Sequence, residues 1–189
     1  MGVTTFAAID VGSYNVCMDI YEISPRNGIR CINEVRSRLE IGRETYGEGK
    51  ITFATAKELC RILKDFTEIM KEYQAEAYRA CATSTLQEAK NVWIVMEQVY
   101  QKTGIRVEIL SNSEQRFYGY KSVAAKEASF AKMIQKGTAV MEVGGGNVQI
   151  SLFDKDMLVT TQNFKMGSLR IKELLLPLEK EAAHYERLV

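Results

Sequence analysis

The chain has 189 residues, 46% of them hydrophobic, which is enough to bury the core of one ordinary domain or two small ones. Its 25 basic and 24 acidic side chains leave a formal net charge of +1, so no global field attracts it to nucleic acid or to an anionic membrane. It has no apolar stretch long enough to span a bilayer and no signal-peptide pattern, and we expect a cytoplasmic protein. The four cysteines form no CxxC pair and lie in apolar segments, which predicts reduced core residues rather than a metal site.

The predicted elements begin with an antiparallel meander. A buried strand covers residues 4–10, an alternating strand covers 16–23, and a third strand starts near residue 29 after a Pro-Arg-Asn-Gly turn. A loop punctuated by glycines follows over residues 42–49. Apolar residues then recur with the helical period over residues 59–73, which predicts the first helix.

Serine or threonine followed three residues later by Glu or Gln predicts helix starts with capping boxes. Three such pairs occur: Thr55 with Glu58, Ser84 with Gln87, and Ser111 with Glu114. Strands are predicted between these helices at residues 77–83 and 106–110, and the third helix is expected to end at about residue 132. The order is therefore β-β-β-α-β-α-β-α.

Two stretches of the chain are nearly the same. Residues 8–16 (AIDVGSYNV) and 140–148 (VMEVGGGNV) each join an apolar run and a carboxylate to a small-residue turn and an alternating strand. The repeat predicts a first domain at 1–130 and an incomplete second copy at 131–189, with a last helix from about residue 168 that Pro177 interrupts or ends. A copy without its later elements leaves surface uncovered, so we expect a fragment of a longer protein, or an oligomer such as a homodimer.

The two glycine turns are candidate phosphate sites. Glycine permits positive φ and leaves amide groups bare, and two such turns facing each other would hold a phosphate chain from both sides. The candidate residues in the turns are Gly12, Ser13, Asn15, Gly144, Gly145, Gly146 and Asn147. Thr83 and Ser84 join them because they end a strand and start a helix, although capping explains Ser84 equally well. An ordinary tight hairpin is the alternative for the turns, but it does not explain the repeated carboxylate-Val-Gly prefix.

Asp10 and Glu142 close their strands just before the turns, so we expect their carboxylates to point into a shared cleft. Magnesium takes oxygen ligands and keeps several waters, and one or both carboxylates could hold it there. The alternative is that each acid accepts hydrogen bonds from the amides of its turn.

The repeated order resembles the actin, hexokinase and Hsp70 superfamily, an α/β ribonuclease H-like (actin-like ATPase) fold followed here by a truncated second copy. Within it the chain resembles the Ppx/GppA family of exopolyphosphatases and guanosine pentaphosphate phosphohydrolases. Five segments carry this resemblance, namely residues 9–13, 82–91, 110–114, 143–146 and 167–170. The resemblance implies hydrolysis of a terminal phosphoanhydride bond, in inorganic polyphosphate or guanosine pentaphosphate, usually with a divalent cation.

The resemblance also implies that Glu114 is the catalytic residue that activates water, whereas a purely structural interpretation leaves it in the capping box with Ser111. The chain departs from the family pattern at Tyr14, Glu40, Gln87, Glu142 and Gln149. These departures keep open a second hypothesis, a binding module that senses polyphosphate or a guanosine penta- or tetraphosphate without turnover. A kinase-like ATP user of the same superfamily is a weaker third.

Overall fold

The computed structural model describes residues 2–127 and 129–185, with side chains described up to residue 176. The chain forms two compact units, Met1–Ile109 and Leu110–Val189. Residues 110–130 therefore lie in the second unit. The predicted domains at 1–130 and 131–189 follow the sequence repeat instead, and they stay a prediction.

The first unit carries a mixed five-stranded sheet. Its elements are β1 (Thr4–Val11), β2 (Asn15–Ser24), β3 (Gly28–Arg38), α1 (Ile41–Glu48), α2 (Phe53–Glu72), β4 (Ala77–Ala82), α3 (Ser84–Glu88), α4 (Val92–Thr103) and β5 (Val107–Ile109). The strand order is β3-β2-β1-β4-β5, with β1 to β3 antiparallel and β4 and β5 parallel to β1. This agrees with the predicted α/β fold class.

The core of this unit lies where the sheet meets α2 and α4. Alternate residues of β1 and β2 point to one face and are buried, as the period of two requires. The largest fully buried side chains in this core are Met18, Ile20, Ile41, Leu59, Ile62, Leu63, Phe66, Leu86 and Ile105. The core therefore fixes β1, and with it the turn that follows β1.

Two predicted helix starts in this unit are wrong. Helix α2 begins earlier than predicted, because the side chain of Thr52 accepts a hydrogen bond from Thr55 N, and Thr55 Oγ1 instead donates to Glu44 Oε1 over 2.7 Å. Helix α3 has Thr83 at its N-cap without a side-chain capping bond, so Ser84 is inside the helix and forms no capping box.

The predicted glycine loop at residues 42–49 is also wrong, since most of it is helix α1. This helix buries Ile41, Gly42 and Thr45, and it ends at Gly49, whose φ of 74° is the left-handed conformation that favours glycine at a helix end. Its position is fixed at its other end by Glu44, which accepts hydrogen bonds from the backbone and the hydroxyl of Thr52 over 2.7 and 2.9 Å.

The second unit carries a three-stranded antiparallel sheet. Its elements are α5 (Asn112–Lys126), α6 (Phe130–Met133), β6 (Thr138–Val143), β7 (Val148–Asp154), β8 (Met157–Phe164) and α7 (Ser168–Tyr185). The strand order is β6-β7-β8. The predicted single helix to residue 132 is thus two helices, and α7 continues through Pro177.

The hairpin repeat is confirmed down to its register. Val11 pairs with Val16 and Asp10 with Cys17 in the first unit, and Val143 pairs with Val148 and Glu142 with Gln149 in the second. Each hairpin thus closes over a four-residue turn that begins with glycine. Truncation of the second copy stays a prediction.

One face of the second sheet packs on α5 and α6 through three aromatic rings. The centroids of Tyr120, Phe130 and Phe153 lie 5.9–6.4 Å apart. The other face leaves large apolar side chains exposed, among them Met141, Val143, Leu152 and Phe164.

All four cysteines are unpaired thiols, as predicted, but only Cys60 is buried and Cys31 is exposed on β3. The prediction of four core cysteines is therefore wrong for Cys31, because β3 is the edge strand of its sheet. None of the described helices combines the length and apolarity that a membrane span requires.

Candidate functional site

The first glycine turn is closed by a backbone hydrogen bond from Gly12 N to Asn15 O over 3.0 Å. Gly12 does not have positive φ, which corrects the expected reason for glycine at this position. The requirement is space, since a Cβ atom at residue 12 would lie 3.1 Å from Asn15 O and 3.6 Å from Asp10 Oδ2.

The second glycine turn repeats this geometry. Gly144 N donates to Asn147 O over 2.9 Å, and a Cβ atom at residue 144 would lie 3.4 Å from that same oxygen. Asn147 is buried, and its side-chain amide donates to Asn163 Oδ1 over 3.1 Å. Both turns are therefore held in one conformation by their own backbone.

Two carbonyl groups of the first turn accept hydrogen bonds from the segment before α1 and from the first turn of α1. Ser13 O accepts from Gly42 N and Tyr14 O accepts from Leu39 N, each over 3.0 Å. Gly42 is the same residue that α1 buries, so the helix missed by the sequence analysis anchors the turn.

The carbonyl groups of the second turn are bonded to the first turn of α7. Gly144 O accepts from Ser168 N over 3.1 Å, Gly145 O accepts from Leu169 N and Arg170 N over 3.0 Å, and Gly146 O accepts from Arg170 Nε over 2.8 Å. The approach is so close that a Cβ atom at Gly167 would overlap the backbone of Gly145.

The carbonyl groups of residues 13, 14 and 144–146 are bonded inside the protein, whereas several amide groups of the same turns have no backbone acceptor. Within residues 2–127 and 129–185, no backbone oxygen accepts a hydrogen bond from the amides of Ser13, Tyr14, Gly145 or Gly146. Successive backbone N–H groups that have no backbone acceptor can form a concavity suited to an anion. Each unit therefore has one potential phosphate site made of main chain.

The hydroxyl of Ser13 is committed to a ring of three hydroxyls. Ser13 Oγ lies 3.0 Å from Tyr46 Oη, Tyr46 Oη lies 2.7 Å from Thr85 Oγ1, and Thr85 Oγ1 also bonds to Ser13 Oγ. Three hydroxyls carry three protons, and the three contacts use all of them. Phosphate oxygens only accept, so the donor that residue 13 offers in this arrangement is its backbone amide.

The other predicted residues of the first unit are arranged around this turn. Asp10 and Asn15 are exposed, and Asp10 lies between Cys17 and Cys81 on the neighbouring strands. Burial and the Asp10 carboxylate raise the pKa of the Cys17 thiol, so this cysteine is not an activated nucleophile. Thr83 and Ser84 lie at the start of α3, which has only five residues and therefore supplies little helix dipole.

Glu114 forms the predicted capping box of α5. Its Oε2 accepts from Ser111 N over 2.8 Å and from Ser111 Oγ over 2.7 Å, and Glu114 N donates to Ser111 Oγ over 3.2 Å. The structural alternative weighed for this residue is thus present, while its catalytic role stays a prediction. Both roles are compatible with its exposed position.

Glu142 lies on the face of the second sheet that packs against α5. Its Oε2 lies so close to Gly119 that a Cβ atom there would be 2.6 Å away, and Gln115 donates a side-chain hydrogen bond to its carboxyl group. Glu142 is exposed as a whole residue, but partial desolvation of its carboxyl group raises its pKa, and the bond from Gln115 only partly offsets this effect.

The residues around Glu142 do not fit a resident magnesium ion. Gln115 donates to its carboxylate, Gln149 is its cross-strand neighbour, and the positively charged Arg116 lines the same cavity. In the described part of the chain, no cluster of three His, Cys, Asp or Glu side chains could hold a metal. One partly desolvated carboxylate is a poor octahedral site.

Sequence reasoning missed three residues here: Tyr46, Thr85 and Gln115. Thr85 carried a signal, since it directly follows the predicted pair Thr83 and Ser84. Tyr46 carried none, because it lies in a segment predicted to be a loop.

The sheet order and the paired hairpin turns define an α/β protein of the actin-like ATPase fold. A sequence model of the Ppx/GppA phosphatase family matches residues 19–187, and the chain belongs to this family.

The chain is similar to several known proteins. It is 25% identical to a bifunctional 3-dehydroquinate synthase/phosphatase of Fusobacterium nucleatum, over 88% of this chain and 26% of that protein. It is 24% identical to exopolyphosphatase 1 of Mycobacterium leprae, over 89% of this chain and 49% of that protein. The crystal structure of the Aquifex aeolicus Ppx/GppA family member matches with a TM-score of 0.72 at 22% identity, over 99% of this chain and 60% of that one. The chain therefore spans a quarter to a half of the length of these curated relatives.

Proposed function

We propose that this chain carries the phosphate-binding turns of a hydrolase that releases the terminal phosphate from inorganic polyphosphate or guanosine pentaphosphate. The observation that supports the proposal is the pair of matching turns. The carbonyl groups of residues 13, 14 and 144–146 are bonded inside the protein. In the described residues no backbone acceptor is available to the amides of Ser13, Tyr14, Gly145 and Gly146. Amide donors of this kind hold the oxygens of a phosphoryl group without covalent chemistry.

In the proposed reaction, a water oxygen attacks the terminal phosphorus and the bond from that phosphorus to the bridging oxygen breaks. Glu114 accepts a proton from the attacking water, and the leaving phosphate takes up a proton to complete the balance. The products are one inorganic phosphate and a substrate shortened by one phosphate. The backbone amides stabilise the charge on the transferred group.

The capping box makes it possible to test Glu114 separately from helix stability. Glu114→Gln keeps a side chain that accepts from Ser111 but removes the base, whereas Ser111→Ala removes the cap and keeps the carboxylate. We expect Glu114→Gln to lower phosphate release from long-chain polyphosphate by about 100-fold or more. We expect Ser111→Ala to retain most activity and to lose thermal stability. Equal turnover by Glu114→Gln and the parent chain would remove Glu114 from the mechanism.

A second candidate function is binding without turnover. It is favoured by the hydrogen bonds that Glu114 Oε2 already accepts and by the amides of Gln115 and Gln149 beside Glu142. Tight binding of polyphosphate or of guanosine penta- or tetraphosphate by calorimetry, with no phosphate release in the same samples with or without magnesium, would support this sensor over the hydrolase.

The proposal includes the ligands, the partners and the cellular location of the protein. The ligands are phosphate chains or guanosine polyphosphates, with no nucleic-acid or membrane partner, in the cytoplasm. The near-zero net charge supports this assignment, since attraction to an anion has to come from the turns themselves. The exposed apolar face of the second sheet supports a homodimer, which light scattering would detect as twice the mass of 21.4 kDa.

A further inference from the structure

Three side chains from three elements of the second unit meet beside one cavity. Glu142 on β6 lies directly opposite Gln149 on β7, and Gln115 on α5 donates to the Glu142 carboxyl group. The cavity next to them has a volume of about 290 Å³, and its lining includes Arg116, Gly119, Glu142 and Gln149.

The two amide side chains are unusual in their hydrogen bonding. Gln115 Oε1 and Gln149 Oε1 are buried, and neither has a hydrogen-bond partner in the described residues. A buried polar atom without a partner is unfavourable and uncommon, so its presence needs a reason beyond packing. Gln149 is the clearer case because the whole residue is only 6% exposed.

The charge of this cluster decides which ion it can hold. As it stands, it contains one carboxylate and two neutral amides, and the positive charge of Arg116 lines the same cavity, so these four side chains have a formal net charge of zero. Glutamine and glutamate have the same number of heavy atoms, so replacing both amides by acids would place three carboxylates together without a change in volume. Divalent-cation affinity in proteins rises with the number of charged oxygen ligands.

We infer that Gln115 and Gln149, as neutral amides beside Glu142, prevent this carboxylate from holding a divalent cation. The unpaired oxygens support this inference, since each is a buried acceptor that no donor in the described residues satisfies. The inference does not depend on whether the chain hydrolyses phosphoanhydrides, because it concerns metal binding by the protein alone.

The experiment measures Mn²⁺ binding by the intact chain, from the electron paramagnetic resonance signal of unbound Mn²⁺ and by calorimetry. Gln149→Glu is compared with the double variant Gln115→Glu/Gln149→Glu. The matched control is Gln162→Glu, which adds the same charge on the opposite, exposed face of the same sheet, since Gln162 pairs with Ile150 rather than with Gln149. Circular dichroism and thermal melting in EDTA establish that each variant is folded.

We expect the parent chain and Gln162→Glu to bind Mn²⁺ equally weakly, Gln149→Glu to bind at least about tenfold more tightly, and the double variant more tightly still. Adding Glu142→Gln to the folded double variant should lower the affinity again by at least about tenfold. Tight Mn²⁺ binding by the parent chain that Glu142→Gln abolishes would overturn the inference. So would a folded Gln149→Glu or double variant that binds no better than Gln162→Glu.

Discussion

The hydroxyl groups of Ser13, Tyr46 and Thr85 bond to one another beside the first glycine turn, and this ring explains how three polar side chains are accommodated there. Ser13 and Thr85 are buried, and a buried hydroxyl without a partner is costly. Each oxygen in the ring can donate once and accept once, so the ring is complete only with all three residues present.

We predict that Tyr46→Phe lowers the free energy of unfolding by about 1 kcal/mol or somewhat more, because it leaves two buried hydroxyls short of a partner. Urea unfolding followed by far-ultraviolet circular dichroism and by the fluorescence of Trp93, which lies in the same unit, measures this loss. Tyr73→Phe at the end of α2 is the control and should change stability by less than half as much. Equal effects of the two substitutions would contradict the proposed ring.

Glu142 makes stability depend on pH. Desolvation raises the pKa of its carboxyl group above the ordinary value of 4.5, so the ionised form is less favourable in the folded protein than in the unfolded chain. The stabilising contribution is therefore fully present below the ordinary pKa and is lost as the pH rises through the folded pKa. We predict that Glu142→Gln raises the melting temperature at neutral pH and that this gain disappears in acid. A melting temperature that Glu142→Gln raises equally at both pH values would show that ionisation is not the cause.

At the scale of the elements, the chain that follows the third strand of each unit donates hydrogen bonds to the glycine turn of that unit. Leu39 before α1 and Gly42 inside it donate to carbonyl groups of the first turn, and the start of α7 donates to those of the second. In the second unit the contact depends on Gly167, since a side chain there would overlap the backbone of Gly145 and Asn147.

We predict that Gly167→Ala destabilises the second unit by about 1–3 kcal/mol, because the added methyl group has to displace backbone rather than a flexible side chain. Gly137→Ala is the matched control, since a Cβ atom at residue 137 would meet no atom within 4 Å and the residue does not have positive φ. Thermal unfolding of both variants measures the difference. If the two variants were equally stable, the close packing of α7 on the turn would not matter.

The strands and the hairpin repeat could be predicted from sequence because burial on one face imposes a period of two and the turn residues carry local information. Helix α1 could not, since it contains Gly42 and Gly47 and buries too few apolar residues to show a helical period. The start of α2 was misplaced because Thr52 and Thr55 are both possible caps, and the choice depends on Glu44, which lies in the unrecognised helix.

In the candidate site, the sequence predicted the backbone features but not the contacts between distant side chains. The turns and the capping box of Glu114 follow from local patterns. The hydroxyl ring joins residues 72 positions apart, and the hydrogen bond from Gln115 to Glu142 joins a helix to a sheet. Such contacts depend on tertiary packing, which a single sequence does not display.

At the scale of the whole molecule, the two units differ in how well they bury their apolar surface. The core of the first unit includes Phe66 and Leu63 from α2, whereas α5 buries no residue and the second sheet exposes Met141 and Val143. Local stability follows the number of buried apolar contacts.

We therefore predict that amide hydrogens of Val16, Met18 and Ile20 exchange more slowly than those of Val148 and Ile150. Both sets lie in hydrogen-bonded strands of equivalent hairpins, so the comparison isolates the effect of the core. Hydrogen exchange followed by mass spectrometry measures it. Equal protection of the two hairpins would show that the exposed face of the second sheet is covered in solution, and light scattering would then show whether a second copy covers it.

The amide groups of the two glycine turns belong to the main chain, so substitution of side chains does not remove them. Replacing the side chain of Tyr14 leaves its peptide N–H in position, so a conventional scan would score this position as dispensable even if its amide holds the ligand. Chemical synthesis can replace the peptide bond that contains the nitrogen of Gly145 or Gly146 by an ester, which removes the N–H donor of that residue. Weaker phosphate binding by the ester variant would then reveal the contribution of a backbone amide that side-chain substitution does not test.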